Sequence, residues 1–107
     1  MSAEGGGTPV RPAMTVPAVR ERKRRSGAEP LVMVTAYDEP GARIVDRAGV
    51  DLLLVGDSVA NNVLGYRDTL QVTMDDMARH VGAVARAGPR CLDVGDLPWM
   101  SYHLSPE

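Results

Sequence analysis

The sequence predicts an α/β protein in which parallel strands are joined by crossover helices. Two short apolar runs typical of buried strands and a third short strand alternate with two segments of helical periodicity, in the order strand, helix, strand, helix, strand. This alternation is typical of βαβ units, whose right-handed crossovers place consecutive strands side by side. A length of 107 residues allows one domain at most.

The N-terminal region is predicted to be a tail followed by a short helix. Residues 1–14 are rich in Gly, Pro and Ala and have no apolar period, which is typical of a disordered tail. The structured domain is therefore expected over residues 15–107. Thr15 is suited to cap a helix that tolerates Pro17 in its first turn and ends near Arg25.

The first strand and its following helix are predicted over residues 31–48. Residues 31–36 form a short, continuous apolar run, as expected of a strand buried on both faces. Asp38 is placed to cap a helix over residues 39–48, and Pro40 fits its first turn. Gly49 is placed to end that helix.

A second strand, a loop, a helix and a third strand follow in order. The second strand is expected over residues 50–56, and a loop over 59–72. Thr73 and Asp76 have the spacing of a capping box, and the third strand is expected over 91–95. The helix is predicted to run to about residue 87 and to bury a face formed by Met74, Met77, Val81 and Val84.

The composition excludes several classes of protein. The formal net charge is −2, hydrophobic residues make up 44% of the chain, and there is one cysteine. A single cysteine excludes an internal disulfide and a zinc site built on several thiolates. No apolar run approaches the roughly 20 residues of a membrane span, and the N-terminus has no apolar signal core. A reducing, cytoplasmic location is expected.

The charges are unevenly distributed along the chain. Residues 1–30 carry six basic and three acidic groups, whereas residues 31–107 carry six basic and eleven acidic groups. A basic segment is one signal of nucleic-acid binding. Here no aromatic residues interleave with the basic run, and no binding motif accompanies it. The run is therefore interpreted as the solvated face of a helix, and no nucleic-acid partner is expected.

Two predicted strands are each followed by an aspartate. Asp57 follows the second strand and Asp96 follows the third. The carboxyl ends of parallel strands are where α/β proteins bind ligands, so the two carboxylates are expected to lie close together. Mg²⁺ suits such a pair because it takes hard oxygen ligands and commonly uses one or two carboxylates. Taken singly, each aspartate is better explained by a helix cap or a turn, whereas the pair at matched strand ends favours a metal site.

Four separated motifs lie along the chain in a fixed order. They are Thr35-Ala36-Tyr37-Asp38, Leu54-Val55-Gly56-Asp57-Ser58, Gly65-Tyr66 with Thr69, and Asp96-Leu97-Pro98-Trp99-Met100-Ser101-Tyr102. In order and spacing they resemble the N-terminal part of the ketopantoate hydroxymethyltransferase family. The resemblance covers about residues 15–107. It implies that the chain is the N-terminal part of a (β/α)8 TIM barrel, a fold that needs about 250 residues.

The resemblance implies a reaction, a metal and site residues. The family transfers a hydroxymethyl group from 5,10-methylenetetrahydrofolate to 3-methyl-2-oxobutanoate, giving 2-dehydropantoate in pantothenate biosynthesis, through a magnesium-stabilised enolate. Asp57 and Asp96 match the family's Mg²⁺ ligands, and Asp57, Ser58 and Asp96 match residues that contact the oxoacid. The resemblance also implies a homo-oligomer at full length. The expected partners are thus small molecules, namely the 2-oxoacid and the folate, and no association with a membrane is expected.

Other residues of the family's site are expected outside this sequence. A third metal ligand (a glutamate), a substrate-binding lysine and the catalytic base (a further glutamate) would all follow Glu107. No catalytic base is therefore assigned here, and the chain alone is expected to be inactive. Two alternatives remain open. One is a magnesium-dependent 2-oxoacid enzyme like phosphoenolpyruvate mutase and isocitrate lyase, and the other is a non-catalytic truncated remnant.

Three single residues carry further expectations. Asp93 stands where the family has an apolar residue, and strand alternation points it away from Asp96 toward the helical layer. An unpaired carboxylate buried there would be costly. His80 is expected on the surface of its helix, and Cys91 is expected to be a small buried apolar residue.

Overall fold

The structure is a computed structural model that describes residues 11–103. Helices and strands alternate along these residues. The elements in order are α1 (Val16–Arg24), β1 (Met33–Thr35), α2 (Glu39–Arg47), β2 (Leu52–Val55), α3 (Val59–Asn62), α4 (Met74–Arg86) and β3 (Leu92–Gly95), with 3-10 turns at Thr69–Gln71 and Ser101–His103.

The three strands form one parallel sheet in the order β1-β2-β3. Leu52 pairs with Met33 on one side and with Leu92 on the other, so β2 is central. Helix α2 connects β1 to β2, and the segment that contains α4 connects β2 to β3. The α/β class and the predicted strand–helix alternation are thus confirmed.

The helix starts are fixed by the side chains that the sequence predicts as caps. The Thr15 hydroxyl accepts a hydrogen bond from the backbone N–H of Ala18 at 3.2 Å, and the Asp38 carboxylate accepts one from Gly41 at 2.7 Å. Thr73 and Asp76 form a reciprocal capping box with distances of 3.1 and 3.0 Å. Each cap satisfies backbone donors that a helix leaves unpaired at its start.

The core lies between the sheet and the helices α2 and α4. Leu53 and Val55 of β2 are fully buried, as is Val84 of α4, and Met77 is 2% exposed. The partners of Leu53 and Val55 on β3 are Asp93 and Gly95, so these four positions share the helix-facing side of the sheet. Burying each large apolar side chain contributes about 1.5–3 kcal/mol.

Two burial predictions are wrong. Strand β1 is not buried on both faces, because Met33 and Val34 are 46% and 38% exposed. Helices α2 and α4 pack over β2 and β3, and β1 lies at one edge of the three-stranded sheet. Met74, predicted as core, is 48% exposed because it occupies the first position of α4, one turn before Met77 meets the sheet.

The predicted loop over residues 59–72 contains regular structure. Helix α3 begins directly after Ser58, and the backbone N–H of Asn62 donates to the Ser58 carbonyl at 2.9 Å. Val59 and Ala60 of α3 are fully buried. Asp68 caps the 3-10 turn that follows. Single-turn elements carry too few residues to show a periodicity, so the sequence pattern does not reveal them.

The predicted tail divides into two parts. Residues 1–10 lie outside the described residues. Arg11 contacts the domain, donating to the Val50 carbonyl at 3.0 Å and to the Asp46 carboxylate at 2.8 Å, and the Met14 N–H donates to the Arg90 carbonyl at 2.7 Å. Within residues 11–103, the helices are all too short or too polar to cross a membrane.

Candidate functional site

The ends of β2 and β3 bring Asp57 and Asp96 together. Val55 pairs with Gly95, and the Asp96 N–H donates to the Val55 carbonyl at 3.0 Å, which extends the ladder by one bond. The Asp57 N–H then donates to Oδ2 of Asp96 at 3.0 Å. The two aspartates singled out in the sequence are therefore neighbours at the carboxyl edge of the sheet, and both are half-buried.

Gly56 leaves the space beside these groups open. A Cβ at this position would lie 3.4 Å from Oδ2 of Asp96 and 3.4 Å from Oγ of Ser58. It would thus place a methyl group in contact with two polar oxygens at once. The glycine allows the backbone to approach the carboxylate and the hydroxyl closely.

Ser58, the third predicted site residue, belongs to a hydrogen-bonded cluster. Its Oγ lies 2.7 Å from the hydroxyl of Tyr37, and Nδ2 of Asn62 donates to the same hydroxyl at 3.1 Å. The sequence analysis assigned no role to Tyr37 or Asn62. Tyr37 lies two residues beyond the end of β1, so the strand-end rule that selected Asp57 and Asp96 would also have selected Tyr37.

His80 departs from its predicted position on the helix surface. It is half-buried, and its Nδ1 lies 2.7 Å from the backbone carbonyl of Tyr37. Because a carbonyl oxygen only accepts, Nδ1 carries the hydrogen in this bond. The sequence could not show this contact, since it joins residues 43 positions apart.

The donor set at the strand ends fits a hard divalent cation. Asp57 and Asp96 could supply carboxylate oxygens to such a cation, and Ser58 lies beside them. Mg²⁺ commonly takes one or two protein carboxylates and fills its other positions with water and substrate oxygens. Among residues 11–103, the structure contains no group of three or more His, Cys, Asp or Glu side chains arranged to hold a metal.

A cavity of about 390 Å³ lies away from these carboxylates, beside α1 and the amino end of β2. Arg22 and Asp51 line it and form an ion pair, and the Asp51 carboxylate also accepts from the Val32 N–H at 3.0 Å. Its basic groups are largely engaged by neighbouring carboxylates, since Arg11 pairs with Asp46. We therefore place the candidate site at the strand ends rather than in this cavity.

A second cluster of titratable groups lies at the start of β3. Oδ1 of Asp46 accepts from the backbone N–H groups of Arg90 and Cys91 at 2.9 and 3.0 Å. Burial, together with the hydrogen bond to Asp46 and the negative charges nearby, raises the pKa of Cys91 to about 12. The thiol is 4% exposed, so Cys91 is the buried apolar residue that the sequence predicts, and it is unreactive at neutral pH.

Asp93 faces the helical layer, as predicted. Its Oδ1 is buried and has no hydrogen-bond partner among the described residues. Burial, and then the charge of Asp46, raise the pKa of Asp93 above its ordinary value. The ionised carboxylate is therefore disfavoured where it stands.

Replacing Asp93 with Val is expected to stabilise the chain by about 1–2 kcal/mol at neutral pH, since an unsatisfied buried polar group costs about that much. A raised folded-state pKa contributes stability below the unfolded value of about 3.9, and that contribution is lost as the pH rises through the folded pKa. The gain from Asp93→Val should thus grow from pH 4 upward. Chemical denaturation of both proteins at several pH values measures it. Equal stability at pH 7 would contradict the prediction.

Comparison with known proteins identifies relatives over most of the chain. Residues 13–107 match the family model described as ketopantoate hydroxymethyltransferase. Three relatives are named 3-methyl-2-oxobutanoate hydroxymethyltransferase. The protein of Thermotoga neapolitana is 53% identical over 89 residues, covering 83% of this chain and 33% of the relative. The protein of Ignicoccus hospitalis is 58% identical over 85 residues, which are 79% of this chain and 32% of the relative. The protein of Pyrobaculum calidifontis is 56% identical over 88 residues, which are 82% of this chain and 33% of the relative.

These matches cover most of this chain but only part of each relative. The chain spans about a third of the length of the relatives it matches. Both the extent of the family match and the identities exceed what chance resemblance or a shared fold alone would produce. The chain therefore belongs to the ketopantoate hydroxymethyltransferase family.

Proposed function

We propose that this chain supplies the Mg²⁺-binding and oxoacid-binding edge of a hydroxymethyltransferase that acts on 3-methyl-2-oxobutanoate with 5,10-methylenetetrahydrofolate as donor, giving 2-dehydropantoate. The observation that supports it best is the contact between the Asp57 N–H and Oδ2 of Asp96 at 3.0 Å. That contact joins the Asp96 carboxylate to the backbone of Asp57 at the neighbouring strand end. It supports a shared role for the two aspartates in a family whose relatives are named for this substrate.

The substrate chemistry matches these residues. A 2-oxoacid carries a carboxylate and a keto oxygen on adjacent carbons, so it can offer two hard oxygens to one cation. Asp57 and Asp96 would hold the cation, and the Ser58 hydroxyl would bind an oxygen of the oxoacid. When bound, Mg²⁺ supplies Lewis-acid stabilisation of the negative charge that develops on the keto oxygen.

The proton at C3 of the oxoacid must be removed before that carbon can attack the one-carbon donor. We expect the base to be a glutamate outside this sequence, as the resemblance to the family implies. The contribution of residues 11–103 is then to bind and orient the oxoacid rather than to move its proton. We further propose that the three strands are the first three of a closed (β/α)8 barrel, which would cover the exposed side chains of β1, and that the whole protein is a homo-oligomer.

Calorimetry and a chimera test this function. The chain should bind 3-methyl-2-oxobutanoate in the presence of Mg²⁺ and lose that binding when EDTA removes the metal. A chimera in which residues 13–107 replace the matching third of the Thermotoga neapolitana relative should transfer the hydroxymethyl group, again only with a divalent cation. A chimera that folds but cleaves a carbon–carbon bond, or has no activity, would contradict the proposal.

A further inference from the structure

We propose that Tyr37 and Asn62 are positioning residues that orient the Ser58 hydroxyl so that it donates, rather than accepts, toward a bound ligand. The inference rests on the proposed function in one respect, namely that Ser58 faces the oxoacid. The hydrogen-bonded chain that carries it runs from Asn62 through Tyr37 to Ser58, with distances of 3.1 and 2.7 Å.

The direction of this chain follows from the groups in it. Nδ2 of Asn62 is a donor only, so the Tyr37 oxygen accepts from it. Among the described residues the Tyr37 hydroxyl contacts no acceptor other than Oγ of Ser58, so we assign its single hydrogen to that bond. Ser58 accepts that bond, and its own hydrogen points elsewhere. The cluster therefore presents one O–H donor at the edge where Asp57 and Asp96 lie.

Ser58 is free for this role because it does not cap α3. It occupies the N-cap position of that helix, where a serine usually bonds a backbone N–H, but its side chain makes no capping bond and its backbone is helical, with φ −61° and ψ −9°. The Ser58 side chain therefore makes a hydrogen bond to Tyr37, 21 residues away, in place of a local capping bond, so tertiary structure sets its orientation.

Tyr37 is fixed at both of its ends. Its backbone carbonyl accepts from Nδ1 of His80 on α4 at 2.7 Å, and its hydroxyl contacts Ser58 and Asn62. It also packs against the buried core, beside Ala36. Such anchoring lowers the entropy that the site loses when ligand binds, so the donor direction is set before binding.

The consequence is a specificity for acceptor groups. A carboxylate or keto oxygen only accepts hydrogen bonds, so it matches a Ser58 that donates. A ligand that presents an N–H or O–H at this point could bond only to the remaining lone pair of Oγ, which leaves the Ser58 hydrogen without an acceptor on the ligand. We infer that the cluster selects the oxoacid form of a substrate over analogues with a donor at the same place.

Reversing the donor at position 62 tests this. In Asn62→Asp the carboxylate only accepts, so Tyr37 should donate to it, and Ser58 should then donate to Tyr37 instead of to the ligand. The matched control is Asn61→Asp, which adds the same charge one residue away on an exposed asparagine. We expect Asn62→Asp to weaken Mg²⁺-dependent binding of 3-methyl-2-oxobutanoate by about tenfold or more relative to Asn61→Asp, the size of one lost bond to a charged group.

A double-mutant cycle separates positioning from a general structural effect. Tyr37→Phe should weaken binding several-fold in the normal chain but have no effect once Ser58→Ala is present, because Tyr37 acts through Ser58. Additive effects of the two substitutions, or equal affinities of Asn62→Asp and Asn61→Asp, would overturn the inference.

A measurement without ligand makes the inference independent of the proposed function. NMR scalar couplings should show one χ1 rotamer for Ser58 in the chain and averaging between rotamers in Tyr37→Phe. If Ser58 averages in the unsubstituted chain, or stays fixed in Tyr37→Phe, the positioning role is wrong. If the chain shows no Mg²⁺-dependent binding of the oxoacid at all, the proposed function fails, and the rotamer measurement alone decides the role of Tyr37.

Discussion

Replacing Asp96 with Asn is expected to reduce Mg²⁺-dependent binding of 3-methyl-2-oxobutanoate by at least about a hundredfold while leaving the fold intact. The Asn side chain has nearly the same shape, and its carbonyl oxygen can still accept from the Asp57 N–H, now at 3.0 Å from Oδ2. What it lacks is the negative charge that a hard cation requires of its ligands. A hundredfold loss of affinity corresponds to about 2.8 kcal/mol, the order of magnitude expected when one of two charged ligands of a divalent cation becomes neutral.

Two further variants make that result specific. Asp75→Asn removes one negative charge from an exposed side chain in the first turn of α4 and should leave binding unchanged. Asp96→Ala removes both the charge and the acceptor, so it should lose binding and also destabilise the loop that begins at Asp57. Calorimetric titration gives the affinities, and thermal unfolding reports the fold. An Asp96→Asn protein with normal metal-dependent binding would remove the basis of the proposed function.

The elements that the sequence predicted well are those whose signal is local. The caps at Thr15, Asp38 and Thr73 form the expected hydrogen bonds, since each involves partners no more than three residues away. The strand order β1-β2-β3 fits the tendency of strands that are consecutive in the chain to lie side by side.

Burial was harder to predict than element type. The run over residues 31–36 has the composition of a strand covered on both faces, but coverage depends on which helices pack over β1, and α2 and α4 pack over β2 and β3. The composition of a strand reflects the packing around it in the whole protein. Its exposure in this structure depends only on the helices and strands formed by residues 11–103. The exposed apolar surface of β1 is consistent with the closed barrel proposed above.

In the candidate site, too, features set by the local sequence could be predicted and those set by tertiary packing could not. Strand-end position was enough to bring Asp57 and Asp96 together in the sequence analysis, because register in a parallel sheet is regular. The contacts that join Tyr37 to Ser58, Asn62 and His80 span 21 to 43 residues, and no spacing rule connects such positions. Asp46 and Arg11 were missed for the same reason, since their contacts are set by tertiary packing.

Asp46 is expected to be the polar residue of the described chain whose loss costs the most stability. Replacing it with Ala should lower the free energy of unfolding by about 2–4 kcal/mol, because the N–H groups of Arg90 and Cys91 would lose their acceptor and Arg11 would lose its carboxylate partner. Cys91 is buried, so water cannot readily replace the lost bond there. Relief of the repulsion on Asp93 offsets a small part of the loss.

The pH dependence and the Asn variant identify which property of Asp46 matters. Burial raises the pKa of Asp46, but the hydrogen bonds from Cys91 and Arg90 and the charge of Arg11 outweigh it, so the pKa lies below its ordinary value. A lowered folded-state pKa contributes stability above the unfolded value of about 3.9, and that contribution is lost as the pH falls through the folded pKa.

Asp46→Asn keeps an acceptor, so it should cost about 1 kcal/mol at pH 7. Its deficit relative to the normal chain should close below about pH 4, whereas the deficit of Asp46→Ala should persist. Equal losses for Ala and Asn at pH 7 in denaturant titrations would show that the charge, and not the acceptor, holds α2 against the start of β3.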